Sequence, residues 1–132
     1  MIMLRLSALP KTWLIDLDGT IFPHNGYLRT KDAEKLLVGA KDFFEKIAED
    51  DIIIILTSRD ERYRRKTVES LKSNGIKFNL LLMGVPKGER ILINDKKASG
   101  MKTAYAINLK RDSGLNEVKI EISDDSNNPS KT

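Results

Sequence analysis

The sequence predicts an α/β fold: a doubly wound parallel sheet in three layers, helix on sheet on helix. Short and nearly continuous apolar runs recur at Thr12–Leu17, Ile52–Leu56, Asn79–Met83 and Ile91–Ile93, with a fifth at Ala104–Leu109. The stretches between the first three runs carry helical spacing or helix-capping residues, and polar residues suited to chemistry gather where the runs end. A strand that is apolar on both sides needs cover on both faces, so runs of this kind interleaved with helices indicate parallel strands wrapped by helices.

Each element has its own local reason. Ala40, Phe43, Phe44, Ile47 and Ala48 recur at i, i+3, i+4, i+7 and i+8, which places one apolar stripe on a helix that Gly39 precedes. Asp60 supplies a cap for a second helix with Tyr63, Thr67 and Leu71 on its inner side, and Gly75 supplies the positive φ that ends it. Val118, Ile120 and Ile122 alternate with Lys119 and Glu121, the pattern of an edge strand with one wet face. After Ser123 no apolar residue follows, so residues 1–125 are expected to form a single domain and 126–132 a flexible tail.

Composition narrows the classes. At 132 residues the chain has the length of one domain, and 40% hydrophobic with 32% charged residues is ordinary for a globular protein. The absence of cysteine excludes disulfides, thiolate zinc sites and cysteine nucleophiles, and the single histidine, His24, excludes a multi-histidine cluster within one chain. The longest apolar run, Ile52–Leu56, falls far short of the ~20 residues of a membrane helix. Met1–Pro10 is apolar but carries Arg5 and meets Lys11, unlike a signal peptide, so the expected location is the cytoplasm, with no membrane partner. Residues 1–111 hold 21 basic and 14 acidic side chains, a net +7, against 2 and 5 in the remainder, a net −3. A mildly basic body suits an anionic substrate, although the run Arg62, Arg64, Arg65, Lys66 taken alone reads as a solvated helix face.

Three strand ends carry the chemistry. In an open α/β sheet, ligands bind outside the carboxyl ends of the strands. Asp16 and Asp18 stand at such an end, and a spacing of two puts both on one side if the strand continues, close enough to share a divalent cation. The bland alternative is an acidic strand end with Asp18-Gly19 as a turn. The second run finishes in Thr57-Ser58-Arg59, offering a hydroxyl and backbone N–H groups beside a helix start. The fourth finishes in Asn94-Asp95, and the loop Gly84–Gly88 before it can aim Lys87 into the crevice.

With these residues in place the chain, over roughly 11–111, resembles the haloacid dehalogenase-like phosphohydrolases, of the small type without a cap domain. The resemblance implies a Rossmann-like core and magnesium-dependent hydrolysis of phosphomonoesters through an aspartyl-phosphate. It makes Asp16 the nucleophile, Asp18 the general acid and base, Thr57 and Lys87 the groups that meet the phosphate, and Asp16, Asp18 and Asp95 the holders of magnesium, with Asn94 as an alternative to Asp95. Only 36 residues separate Thr20 from Thr57 and 29 separate Thr57 from Lys87, so neither interval has room for a cap. The loop 21–30 is left as the flap, with His24 and Asn25 as candidate substrate contacts beside Ser58 and Arg59. The run from Thr57 to Gly75 looks like small bacterial phosphatases acting on sugar phosphates, and also like the phosphatase part of polynucleotide kinase-phosphatases. The expected partner is therefore a small phosphorylated substrate, with a nucleotide or polynucleotide end as the alternative and a non-catalytic phosphate-binding module as the alternative of another class. An open site of this kind also admits a homo-oligomer whose neighbour excludes water.

Overall fold

A computed structural model describes residues 1–123, so the tail expected at 126–132 lies outside the described residues. The strands are β1 (Ile2–Leu6), β2 (Thr12–Asp16), β3 (Ile52–Leu56), β4 (Leu80–Leu82) and β5 (Val118–Ile122), and the α-helices are α1 (Ala40–Glu45) and α2 (Arg64–Ser73). Short 3₁₀ turns occupy Gly26–Leu28 and Glu61–Tyr63. Among the described residues all pairings between strands are parallel, in two sheets ordered β2-β3-β4 and β1-β5. The fold is thus α/β with parallel strands, compatible with a Rossmann-like arrangement.

The larger sheet sets the position of the acids. Thr12 pairs with Ile52 and Asp16 with Leu56, so β2 and β3 finish at the same level, and Leu56 pairs with Leu82 in β4. Asp51 sets the opposite end: its carboxylate accepts the Lys11 amide at 2.9 Å and the Trp13 Nε1–H at 2.8 Å, which leaves this buried acid satisfied. One face of the sheet sends Ile15, Ile53, Ile55 and Leu81 into a core shared with Phe43 and Phe44 of α1 and Leu71 of α2. Trp13 meets Phe43 edge to face, with ring centroids 5.7 Å apart. Burial of a side chain such as Phe44 contributes about 1.5–3 kcal/mol.

The second face departs from the expected three layers. Leu14, Ile52 and Leu80 are about half exposed there, and among the described residues no helix covers them. The runs Ile91–Ile93 and Ala104–Leu109 form no strand, and Ile91 and Ile93 are 81% and 90% exposed. Local contacts take the place of a ladder here: Lys97 N donates to Met101 O, Asn94 Nδ2 donates to Thr103 Oγ1, and the Thr103 hydroxyl donates to the Asp95 carbonyl. The helix expected over the 40–48 stripe ends at Glu45, although Ile47 still reaches the core. Asp60 does cap the second helical stretch, accepting the Arg62 amide, and Gly75 follows it at φ +72°.

The strand β1, not among the apolar runs expected to form the sheet, is the parallel partner of β5. Val118 is buried and Ile120 half-buried while Lys119 and Glu121 are exposed, as expected of one wet face, but Ile122 at the strand end is 47% exposed. The pair is tied to α1 through a close backbone crossing, in which Leu115 N donates to Val38 O at 2.9 Å. Gly39 lies there at φ +80°, and a Cβ on it would stand 2.5 Å from the Asn116 nitrogen. Gly39→Ala is therefore expected to cost about 1–3 kcal/mol, seen as a lower urea midpoint at unchanged slope. A midpoint equal to that of the wild type would show that this crossing yields freely. No helix among the described residues is long and apolar enough to cross a membrane.

Candidate active site

Asp16 and Asp18 emerge from the carboxyl end of β2 into different surroundings. Asp16 is the last residue of the strand, and its side chain is 39% exposed. Its Oδ2 accepts the Thr20 hydroxyl at 3.1 Å and its Oδ1 accepts Arg90 Nη1 at 2.7 Å. Between the acids the chain turns sharply: the amides of Ile21 and Phe22 both donate to Leu17 O, which carries Asp18 back over the end of β3. There its Oδ2 accepts the Thr57 hydroxyl at 2.7 Å, and its side chain is only 15% exposed.

Thr57 is fully buried at the end of β3, its amide donating to Leu82 O and its carbonyl accepting from Val85 N. Its oxygen also accepts the Arg59 amide at 3.0 Å, so the hydroxyl proton is free to go to Asp18. Arg59 turns inward. Its Nε and Nη2 grip Asp18 at 2.9–3.2 Å, while Nη1 and Nη2 hold Glu34 at 2.9 and 2.6 Å and Nη1 reaches Thr67 Oγ1 at 3.0 Å. The Tyr27 ring lies 4.0 Å from Arg59 Cζ. Burial pulls the guanidinium pKa down, but the hydrogen bonds to Glu34 and Asp18 outweigh it, and the value stands above normal. Burial, and then the charge of Asp18, raise the Tyr27 phenol.

The other candidates are dispersed. His24 donates its amide to Asp112 Oδ1 at 2.8 Å, and Asn25 is exposed at φ +59° at the start of a 3₁₀ turn. The backbone of both residues thus fixes the turn, and Ser58 is half-buried next to Thr57. Lys87 is exposed and has no hydrogen bond or ion pair among the described residues. Arg90, three residues further along the same loop, takes the position beside Asp16. Its signal in the sequence is a second basic side chain ahead of Asn94-Asp95. Asn94 and Asp95 lie in the exposed segment described above. The basic run from the 3₁₀ turn into α2 is largely engaged: Arg64 pairs with Glu61, Arg62 with Asp60, and Lys66 Nζ donates to the Tyr27 and Thr30 carbonyls.

The resemblance implies a magnesium ion held by Asp16, Asp18 and Asp95. The third acid, Asp95, does not join the other two, Asp16 is met by Arg90, and Asp18 by Arg59 and Thr57. Among the described residues no group of three or more histidine or acidic side chains is placed to hold a metal ion. The described residues as arranged do not fit a divalent cation.

A hollow of about 320 Å³ opens at the other end of the sheet, lined in part by Asp51, Lys77 and Asn79. The polar groups of these residues already serve the fold: Asn79 Oδ1 accepts Ile53 N, Lys77 donates to Ile47 O, and Asp51 holds Lys11 and Trp13.

No family model and no curated protein matches the chain. Among solved structures, a chain of a Pnkp1/Rnl/Hen1 complex is similar to it at 26% identity with a TM-score of 0.48, over 64% of this chain and 31% of that one. This chain thus spans about a third of the length of that neighbour, and the likeness carries no functional inference.

Proposed function

We propose that the protein hydrolyses phosphate monoesters, with Asp16 as nucleophile and Asp18 as general acid and base, in a single haloacid dehalogenase-like domain without a cap. The observation that carries this reading is the divergence of two carboxylates only two residues apart. Asp16 faces solvent at the mouth of the sheet, whereas Asp18 is clamped in a largely buried network. Two acids given unlike surroundings are suited to unlike roles.

In the proposed reaction an Asp16 oxygen forms a bond to phosphorus as the ester P–O bond breaks, and Asp18, ionised in the resting cluster, relays a proton from solvent to the departing oxygen. Water then attacks the aspartyl-phosphate, Asp18 takes its proton and returns it to solvent, and phosphate leaves with the Asp16 carboxylate restored. Arg90, which already donates to Asp16, has a guanidinium able to pass to a phosphate oxygen and meet its charge. The resemblance implies magnesium whereas the acids as arranged do not gather around one, so assays are run both with Mg²⁺ and with chelator.

The test is release of product from an aryl phosphate, followed by a panel of sugar phosphates, nucleotides and 3′-phosphorylated oligonucleotides. Turnover is expected, and a wild-type protein inert on the whole panel overturns the reading. Within the same assay Arg90→Ala should raise KM about tenfold, as the loss of one exposed charge-assisted contact worth roughly 1.4 kcal/mol. Lys87→Ala should change it less than twofold. The opposite ranking would return the phosphate-binding role to Lys87.

A further inference from the structure

We propose that Glu34 is a positioning residue for Asp18, acting through Arg59 by fixing the orientation in which the guanidinium grips the acid. The role given to Asp18 rests on the phosphate-ester reading above, whereas the mechanical link does not. Glu34 is 2% exposed in its side chain and cannot touch a substrate. What it does touch is one edge of the Arg59 guanidinium, while Asp18 takes the adjoining edge.

The five N–H groups of Arg59 are all engaged: Nε on Asp18, Nη2 on Asp18 and Glu34, Nη1 on Glu34 and Thr67. A planar fork held along one edge is fixed within its plane, and the Tyr27 ring packs against one face of it. Glu34 is itself anchored, because its amide donates to Ser70 Oγ at 3.3 Å and its carbonyl accepts Asn74 Nδ2 at 2.8 Å. The line of support therefore runs from α2 through Glu34 and Arg59 to Asp18.

Charge supports the assignment. Asp18 alone would neutralise Arg59, and a second buried carboxylate adds desolvation cost and leaves the cluster at net −1. Glu34 has no other ion pair among the described residues, so the work that offsets this cost is on Arg59.

Glu34→Gln keeps the shape but turns an N–H donor toward the guanidinium. With an aryl phosphate we expect kcat to fall about 10- to 100-fold and KM to stay within about twofold, since phosphate contacts at Asp16 and Arg90 are untouched. A kcat within twofold of wild type, or an effect confined to KM, overturns the proposal. A second readout needs no activity: urea unfolding of Glu34→Gln, Asp18→Asn and the double variant. If both act through Arg59, the unfolding constant of the double variant differs from the product of the single effects by at least about fivefold, near 1 kcal/mol. Purely multiplicative effects overturn the link whether or not the protein turns over. Wild-type inertness on the phosphate panel would defeat the functional reading, while the unfolding cycle still decides on Glu34. If the glutamine variant does not fold, Glu34→Asp, which keeps the charge and shortens the reach by one methylene, carries the same measurements.

Discussion

Asp16→Asn should lose aryl phosphate turnover by at least about a thousandfold, roughly 4 kcal/mol of transition-state stabilisation, while melting within a few degrees of wild type. An amide oxygen carries no charge with which to attack phosphorus. The small stability cost follows from the surroundings: the Asp16 pair with Arg90 is more than a third exposed on both sides, and such pairs contribute about 0–1 kcal/mol. Activity and stability are thereby separable at this residue, as they are not at Asp18, whose loss would also disturb the Arg59 cluster. Steady-state rates and thermal melts on the same preparation decide the matter. An asparagine variant that keeps a tenth of the wild-type rate would remove Asp16 as nucleophile.

The largest effect on stability is expected from Arg59→Ala. Its removal leaves Glu34 as a fully buried carboxylate without a cation and strips Asp18 of all its partners except Thr57. Breaking a buried pair from one side costs about 3–5 kcal/mol, because the remaining charge stays desolvated. For a domain of this size that corresponds to a fall in Tm of about 10–20 °C. Arg59→Lys should recover little, since an ammonium cannot span two carboxylates and Thr67 with a planar fork. A melt within about 3 °C of wild type for the alanine variant would show that the two acids find other partners.

Much of the site was legible along the chain because it depends on short-range order. Residues at the end of an apolar run must leave a parallel sheet at its carboxyl edge, so Asp16, Asp18 and Thr57 could be placed together before any contact was known, and Asp18 and Thr57 do meet at 2.7 Å. Arg59 was legible as part of the same strand end but not in direction. Its side chain turns inward because Glu34, 25 residues earlier in a loop without a clear pattern, comes to lie beneath it. Glu34 itself gave no local signal, as a glutamate among Lys31, Asp32 and Lys35 reads as solvated surface. Arg90 and Lys87 are alike in sequence, and only the path of the loop distinguishes them.

The hydrophobic pattern by itself determined the α/β class, the strands at 12–16 and 52–56, the capped helix after Asp60 and the amphipathic face around Phe43 and Phe44, since each follows from periodicity and local capping within a few residues. What only the tertiary structure decided is which apolar runs find a partner. Ile2, Leu4 and Leu6 alternate with Met3 and Arg5 and become a strand because Val118–Ile122, more than a hundred residues away, lies parallel to them. Ile91–Ile93 is equally apolar and stays unpaired, its neighbours held by Thr103 and the turn at Lys97–Met101. A strand is stabilised by the ladder it joins rather than by its own residues, so its existence is a property of two segments at once. The same holds for the buried guanidinium, which is placed by charges that meet only when the chain has folded.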